Sequence, residues 1–167
     1  MFTDRTEAGR MLAHRLSHVC AAESVVLGVA RGGVPIAYEI ARRLSIPLDV
    51  LVVRRGWRDT DRKDAGRVPL DGRTAIVVDD GVASPATALA ACRLARQRGA
   101  RRVVFAAPVV AADAVPALSE IADDLPRLAT PPRVADVRDW YGDYPPVTES
   151  QVRDLLGRAA TALDAGI

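Results

Sequence analysis

The chain has 167 residues, 49% of them hydrophobic and 26% charged, a size that suits one domain built around a single core. Its formal net charge of +2 has no basic block behind it, so nucleic acid is not an expected partner. No apolar run reaches the ~18 residues of a membrane span, and MFTDRTEAGR lacks the apolar middle of a secretory signal, so a soluble, cytoplasmic protein without a membrane partner is expected.

Asp4-Arg-Thr-Glu7 resembles a capping box, and Ala8, Met11, Leu12, Leu16 and Val19 follow at helical spacing, which predicts an amphipathic opening helix. His14 and His18 flank that stripe at i, i+4, but no carboxylate or cysteine pattern joins them, and they read as surface residues. Cys20 and Cys92 fall in helical patterns without a partner at zinc spacing and read as reduced core residues. Ser24 to Ala30 is an almost wholly apolar run that turns at Arg31-Gly32-Gly33 into a helix marked by Val34, Ala37, Tyr38, Ala41 and Leu44, with Pro35 in its first turn. Leu48 to Val53 gives a second strand, and the polar segment RRGWRDTDRKDAGRVPLDGR after it is the main loop.

Thr74 to Val78, Arg102 to Ala107 and Leu125 to Ala129 give three more strands. Helical patterns lie between them at Thr87 to Arg98, stopped by Gly99, and at about Asp113 to Ala122. Strands that are continuously apolar and alternate with helices indicate a parallel sheet covered on both faces. After Thr130-Pro-Pro the aromatic stretch VADVRDWYGDYPP breaks the pattern. Thr148-Glu-Ser-Gln151 then caps a last helix carrying Val152, Leu155, Leu156, Ala159 and Leu163. One domain over 1–167 is expected, with 131–147 as a small hood or tail.

In an open doubly wound sheet, ligands bind beyond the carboxyl ends of the strands. Arg31-Gly32-Gly33 follows strand one, Arg54-Arg55 strand two, and Asp79-Asp80 with GVASPAT strand three. A small-residue loop opening a helix exposes backbone N–H groups to a phosphate, and Ser84 and Thr87 add hydroxyl donors. Two ionised carboxylates beside such a loop serve something else, either ribose hydroxyls or a Mg²⁺ ion that also takes phosphate oxygens. Singly these features have plainer readings: a tight turn, a helix-capping pair, a solvated loop. Their placement at three ends of one sheet points instead to a phosphorylated sugar. Both aspartates are expected to face solvent there.

AIVVDDGVASPAT resembles the motif by which type I phosphoribosyltransferases bind 5-phosphoribosyl 1-diphosphate (PRPP). GVARGGVPIAYEIARRL resembles their pyrophosphate loop, LDVLVVRR their second strand, and LATPPRVADVRDWYGDY with the last helix the tail of a bacterial subgroup. The resemblance implies an α/β doubly wound, mainly parallel five-stranded sheet in order 2-1-3-4-5 with helices on both faces. It also implies transfer of a phosphoribosyl group to a nitrogenous base or amine. Asp79 and Asp80 would hold the ribose hydroxyls, directly or through Mg²⁺. Ser84, Ala86 and Thr87 would line the 5-phosphate pocket, Arg31 and Gly32 would meet the pyrophosphate, and Gly33 and Gly81 would also contact substrate. Arg55 stands where relatives often carry a lysine. Trp140, Tyr141 or Tyr144 is expected to cover the mouth of the site, with Trp140 offering a base a stacking surface. Relatives commonly form dimers, so a homodimer is implied, acting on PRPP or a nucleoside monophosphate with an acceptor base the sequence does not name.

Three positions depart from that family's pattern. Ser84-Pro85 replaces Thr-Gly, and the proline deletes a backbone N–H. The segment after strand two is short for a lid that closes over PRPP, which leaves Arg58, Arg62, Lys63 and Arg67 as its basic residues. Ala83 stands where hypoxanthine-using enzymes carry an aspartate, which argues against a 6-oxopurine. The alternative reading is a catalytically impaired module that binds PRPP or a nucleotide for regulation.

Overall fold

The computed structural model describes residues 1–18, 22–53 and 67–166. Strands β1 (Ser24–Val29), β2 (Leu48–Leu51), β3 (Thr74–Val78), β4 (Arg102–Val109) and β5 (Arg127–Ala129) form one sheet in the order β2-β1-β3-β4-β5. Every neighbouring pair is parallel, as expected.

Successive side chains of a strand leave on opposite faces, so a strand that is apolar at every position needs cover on both sides. Val25, Leu27, Ala75, Val77 and Phe105 point to one face. They pack there against Ala88, Ala91 and Cys92 of α3 (Ala86–Gln97) and Leu118 of α4 (Val115–Ile121). Val26, Ile76, Val78 and Val104 point to the other face. They meet Leu12 and Leu16 of α1 (Arg5–Leu16) and Ile36 and Ile40 of α2 (Gly33–Leu44). The last helix, α5 (Glu149–Asp164), lays Val152 on Val34 and Val50, and its start carries the Thr148–Gln151 capping box read from the sequence. No helix among the described residues is long and apolar enough to cross a membrane.

Several expected boundaries shift for local reasons. β2 ends at Leu51 rather than Val53, while β4 runs to Val109, which pairs with Ala129 of β5; Val82 N donating to the Val109 carbonyl adds a bridge past the end of β3. α4 starts at Val115 after a 3-10 turn at Ala112–Ala114, with Pro116 in its first turn. Met11, expected on the buried stripe of α1, is 46% exposed. The buried face of α1 is turned toward Gly9, where an added Cβ would lie 2.8 Å from Glu39 Cβ of α2, so the helices meet at the glycine instead. Cys92 is buried as expected, and burial pushes its thiol up to about 12. Cys20 and Val19 lie outside the described residues. His14 and His18 are exposed, as read from the sequence.

Residues 131–147 fold back along the amino terminus. Phe2 N donates to the Trp140 carbonyl at 2.8 Å, Gly142 N to the Phe2 carbonyl at 2.7 Å and Asp143 N to the Thr3 carbonyl at 2.8 Å. This pairing sets the Tyr141 ring 5.6 Å from Phe2 and 5.1 Å from Tyr144, beside the carboxyl end of β3.

Candidate functional site at the carboxyl ends of β1 and β3

The chain leaves β1 through Ala30, Arg31 and Gly32, where the Ala30–Arg31 peptide is cis, and enters α2 at Gly33. Both glycines are needed because this turn lies directly on the end of β3. A Cβ on Gly33 would collide with the Val78 carbonyl, and one on Gly32 with the Asp80 carboxylate. The plain reading of these residues as a tight turn therefore understates them, since they bring the turn against the two acids.

Beyond this contact opens a cleft of about 410 Å³, walled by Arg31, Gly32, Asp79, Asp80, Ser84 and Thr87 among others. Gly81 and Ala83 also line it. Gly33 sits buried beneath the wall and Ala86 is exposed at the start of α3, so neither faces the cavity. Pro85 is the N-cap residue of α3 in helical geometry, with φ −75° and ψ −10°, and no side chain caps the helix. The first-turn N–H groups of α3 are thus uncapped beside the wall formed by Ser84 and Thr87.

The two aspartates differ, which corrects the expectation that both face solvent. Asp79 is half-buried in the wall, and its Oδ1 accepts from Asp80 N at 2.8 Å. Asp80 is only 8% exposed. Its Oδ2 accepts from the Tyr144 hydroxyl and lies 3.5 Å from Arg5 Nη2, while its backbone carbonyl accepts from the Tyr141 hydroxyl at 2.6 Å. Burial first, and the Asp80 charge second, push both tyrosine hydroxyls well above the usual range, so both remain protonated donors at neutral pH. Arg5, itself 8% exposed, donates through Nη1 to the Pro145 carbonyl at 2.6 Å and lies 3.8 Å from the Tyr144 ring centroid. Among the described residues no group of three or more His, Cys, Asp and Glu side chains is placed to hold a metal.

A phosphoribosyl transferase domain matches residues 6–126 of this sequence, a span that holds the whole sheet up to β5 and every cleft residue except those of the tail and Arg5. The chain belongs to the phosphoribosyl transferase family. It is 35% identical, over 99% of its length, to a Mycobacterium tuberculosis protein named among the phosphoribosyl transferases, Rv0571c, of which it covers 50%. The chain thus spans about half the length of that relative. The crystal structure of TT1426 from Thermus thermophilus superposes with TM-score 0.82 at 32% identity, covering 93% of this chain and 97% of the other. The orotate phosphoribosyltransferase of M. tuberculosis, solved with PRPP, shares the fold at TM-score 0.57 and 24% identity, over 75% of this chain and 72% of that one.

Set in the phosphoribosyl transferase fold, the expected site residues divide clearly. Arg31, Gly32, Asp79, Asp80, Gly81, Ser84 and Thr87 converge on one cleft. Of the three rings expected over the mouth, Tyr144 lines the cleft with Val137, whereas Trp140, expected to offer a base its stacking surface, packs partly buried against the core on both sides of the sheet. Arg55, with Arg54, Arg58, Arg62 and Lys63, lies outside the described residues. Sequence reasoning missed Arg5, reading it only as part of a helix start. A signal was available: a cation in the first turn of a helix opposes the helix dipole, and such a residue calls for a carboxylate partner elsewhere.

Proposed function

We propose that this cleft binds PRPP and that the domain transfers its phosphoribosyl group to a nitrogenous base or amine. One observation carries the reading. The uncapped start of α3, the hydroxyls of Ser84 and Thr87, the half-buried Asp79 carboxylate and the turn at Gly32 all meet in a single cavity of about 410 Å³. Helix N–H groups and hydroxyls suit the 5-phosphate, a carboxylate suits ribose hydroxyls, and the glycine turn leaves backbone close to the diphosphate. Arg31, half exposed with its Nη2 3.9 Å from Glu149 Oε1, stands where the leaving diphosphate would need a cation.

In such a transfer the acceptor nitrogen forms the new bond to C1 while the C1–O bond to diphosphate breaks and its electron pair leaves with the diphosphate. Positioning and charge stabilisation of the leaving group supply most of the catalysis. When bound with the diphosphate, Mg²⁺ supplies charge neutralisation. Magnesium usually takes one or two protein carboxylates plus phosphate oxygens, which fits Asp79 as the carboxylate offered to it and needs no cluster of protein ligands.

A second reading, a PRPP- or nucleotide-binding module without turnover, is favoured by Pro85, because the N-cap position of the phosphate loop's helix lacks an N–H. Calorimetric titration with PRPP, ribose 5-phosphate and nucleoside monophosphates, each with and without Mg²⁺, tests the binding. Release of pyrophosphate from PRPP in the presence of purine, pyrimidine and amine acceptors separates the two readings. The transferase reading expects release with one acceptor class, and tight PRPP binding without release by any acceptor supports the module.

A further inference from the structure

Asp80 is held more completely than an acid kept only for a ligand needs to be. Arg5 comes from the first turn of α1, 75 positions away in sequence, and Tyr144 from the tail, 64 positions away. Both converge on the same Oδ2. Gly32 closes the remaining side, since any Cβ there would strike that oxygen. Tyr141 fixes the backbone of the same residue through its carbonyl, and the Arg5 guanidinium over the Tyr144 ring holds the two partners to each other. A carboxylate bound this way has one oxygen committed to protein donors and is fixed in rotamer, so that its remaining acceptor capacity meets the cleft in one orientation.

We propose that Tyr144 and Arg5 are positioning residues that lock Asp80 as a preset acceptor for the vicinal diol of the bound sugar phosphate, so that the amino terminus and the tail form part of the sugar site. The proposal rests on the PRPP reading. It adds a role for two residues outside the loop motif and accounts for the otherwise unexplained burial of a cation at the start of α1. Removing the Tyr144 hydroxyl alone keeps the ring against Arg5 and Tyr141, so Tyr144→Phe loosens the acid without emptying the wall.

The test is an NMR titration of the intact chain with ribose 5-phosphate and, separately, inorganic phosphate, the amide spectrum reporting the fold of each variant. For Tyr144→Phe the expected result is about tenfold weaker binding of ribose 5-phosphate, the scale of one hydrogen bond to a charged group, with phosphate binding unchanged. Arg5→Met is expected to weaken the sugar phosphate similarly, and Arg5→Lys to restore part of the loss. Should the arginine variants fail to fold, the Tyr144→Phe comparison stands by itself. Equal ribose 5-phosphate affinity in Tyr144→Phe and the parent chain overturns the positioning role. Tighter binding does so too, because the hydroxyl would then be competing with the sugar, and an equal loss for phosphate would mark general damage to the loop. If the parent chain binds phosphate but not ribose 5-phosphate, or binds neither, the PRPP reading itself falls and this inference with it.

Discussion

Pro85 and Cys92 show how one residue sets a measurable limit. Pro85 already sits in helical geometry that glycine can also adopt, so Pro85→Gly should restore one N–H donor without rebuilding the loop. A backbone donor to a charged phosphate strengthens binding by about 1.5–3 kcal/mol, or at least tenfold. PRPP affinity is expected to rise by that factor in calorimetry, with stability lower by about 0.4–1 kcal/mol because glycine frees the unfolded chain. Unchanged affinity for PRPP would show that the loop does not serve phosphate. Cys92 carries a pH prediction. Its thiol is pushed from 9.0 to about 12 by burial, so the native state keeps a proton that the unfolded state loses. The stability this contributes is fully present below pH 9 and is lost as pH rises from 9 toward 12, at up to about 1.4 kcal/mol per pH unit. Cys92→Ala should lack that fall, and denaturant unfolding of both proteins at pH 8 and pH 10 measures the difference, because the raised tyrosines lower both proteins alike.

At the scale of elements, β2 is tied to the return of the main loop by a buried charge. Asp49 is fully buried; its Oδ1 accepts from Val50 N at 2.8 Å and its Oδ2 from Val68 N at 3.0 Å, with Arg98 Nη2 at 3.7 Å. An amide in place of this carboxylate would keep one acceptor oxygen but turn its NH₂ toward the other N–H donor. Asp49→Asn is therefore expected to cost about 2–4 kcal/mol, read as a lower urea midpoint with an unchanged slope. The sequence reading placed Asp49 inside an apolar strand without assigning it a task, because its partners Val68 and Arg98 come from a loop and a helix end far along the chain. Strand and helix identities were legible for the opposite reason. Runs such as Ser24–Val29 and Thr74–Val78 are buried at every position, and the 3.6-residue pattern of α2 and α3 is local. Their ends were less legible: β4 gains Val109 from its pairing with Ala129 of β5, which no spacing within β4 announces.

At the scale of the whole molecule, the amino terminus and the 131–147 tail meet at the site. The amino terminus pairs with the tail at Phe2 and Tyr141, and the tail brings Tyr144 and Tyr141 to Asp80. The motif DDGVASPAT made the loop and its acids readable, since neighbours in sequence are neighbours in the cleft. The burial of Asp80 was not readable, because Arg5 and Tyr144 reach it across 75 and 64 positions. Trp140 and Tyr144 likewise sit in one irregular stretch, and only the pairing with residues 2 and 3 decides which ring turns to the cleft. A second cavity of about 330 Å³ lies between the tail and α5, lined by Asp143, Pro146, Gln151 and Arg158 among others, and offers an internal control for where a sugar phosphate settles. The central claim is the location of the phosphoribosyl site at the carboxyl ends of β1 and β3. Amide hydrogen exchange with and without PRPP and Mg²⁺ tests it most directly. Slowed exchange is expected at residues 31–34 and 79–88 with the 147–158 region unchanged; slowing confined to 147–158, or no slowing at saturating PRPP, would contradict it.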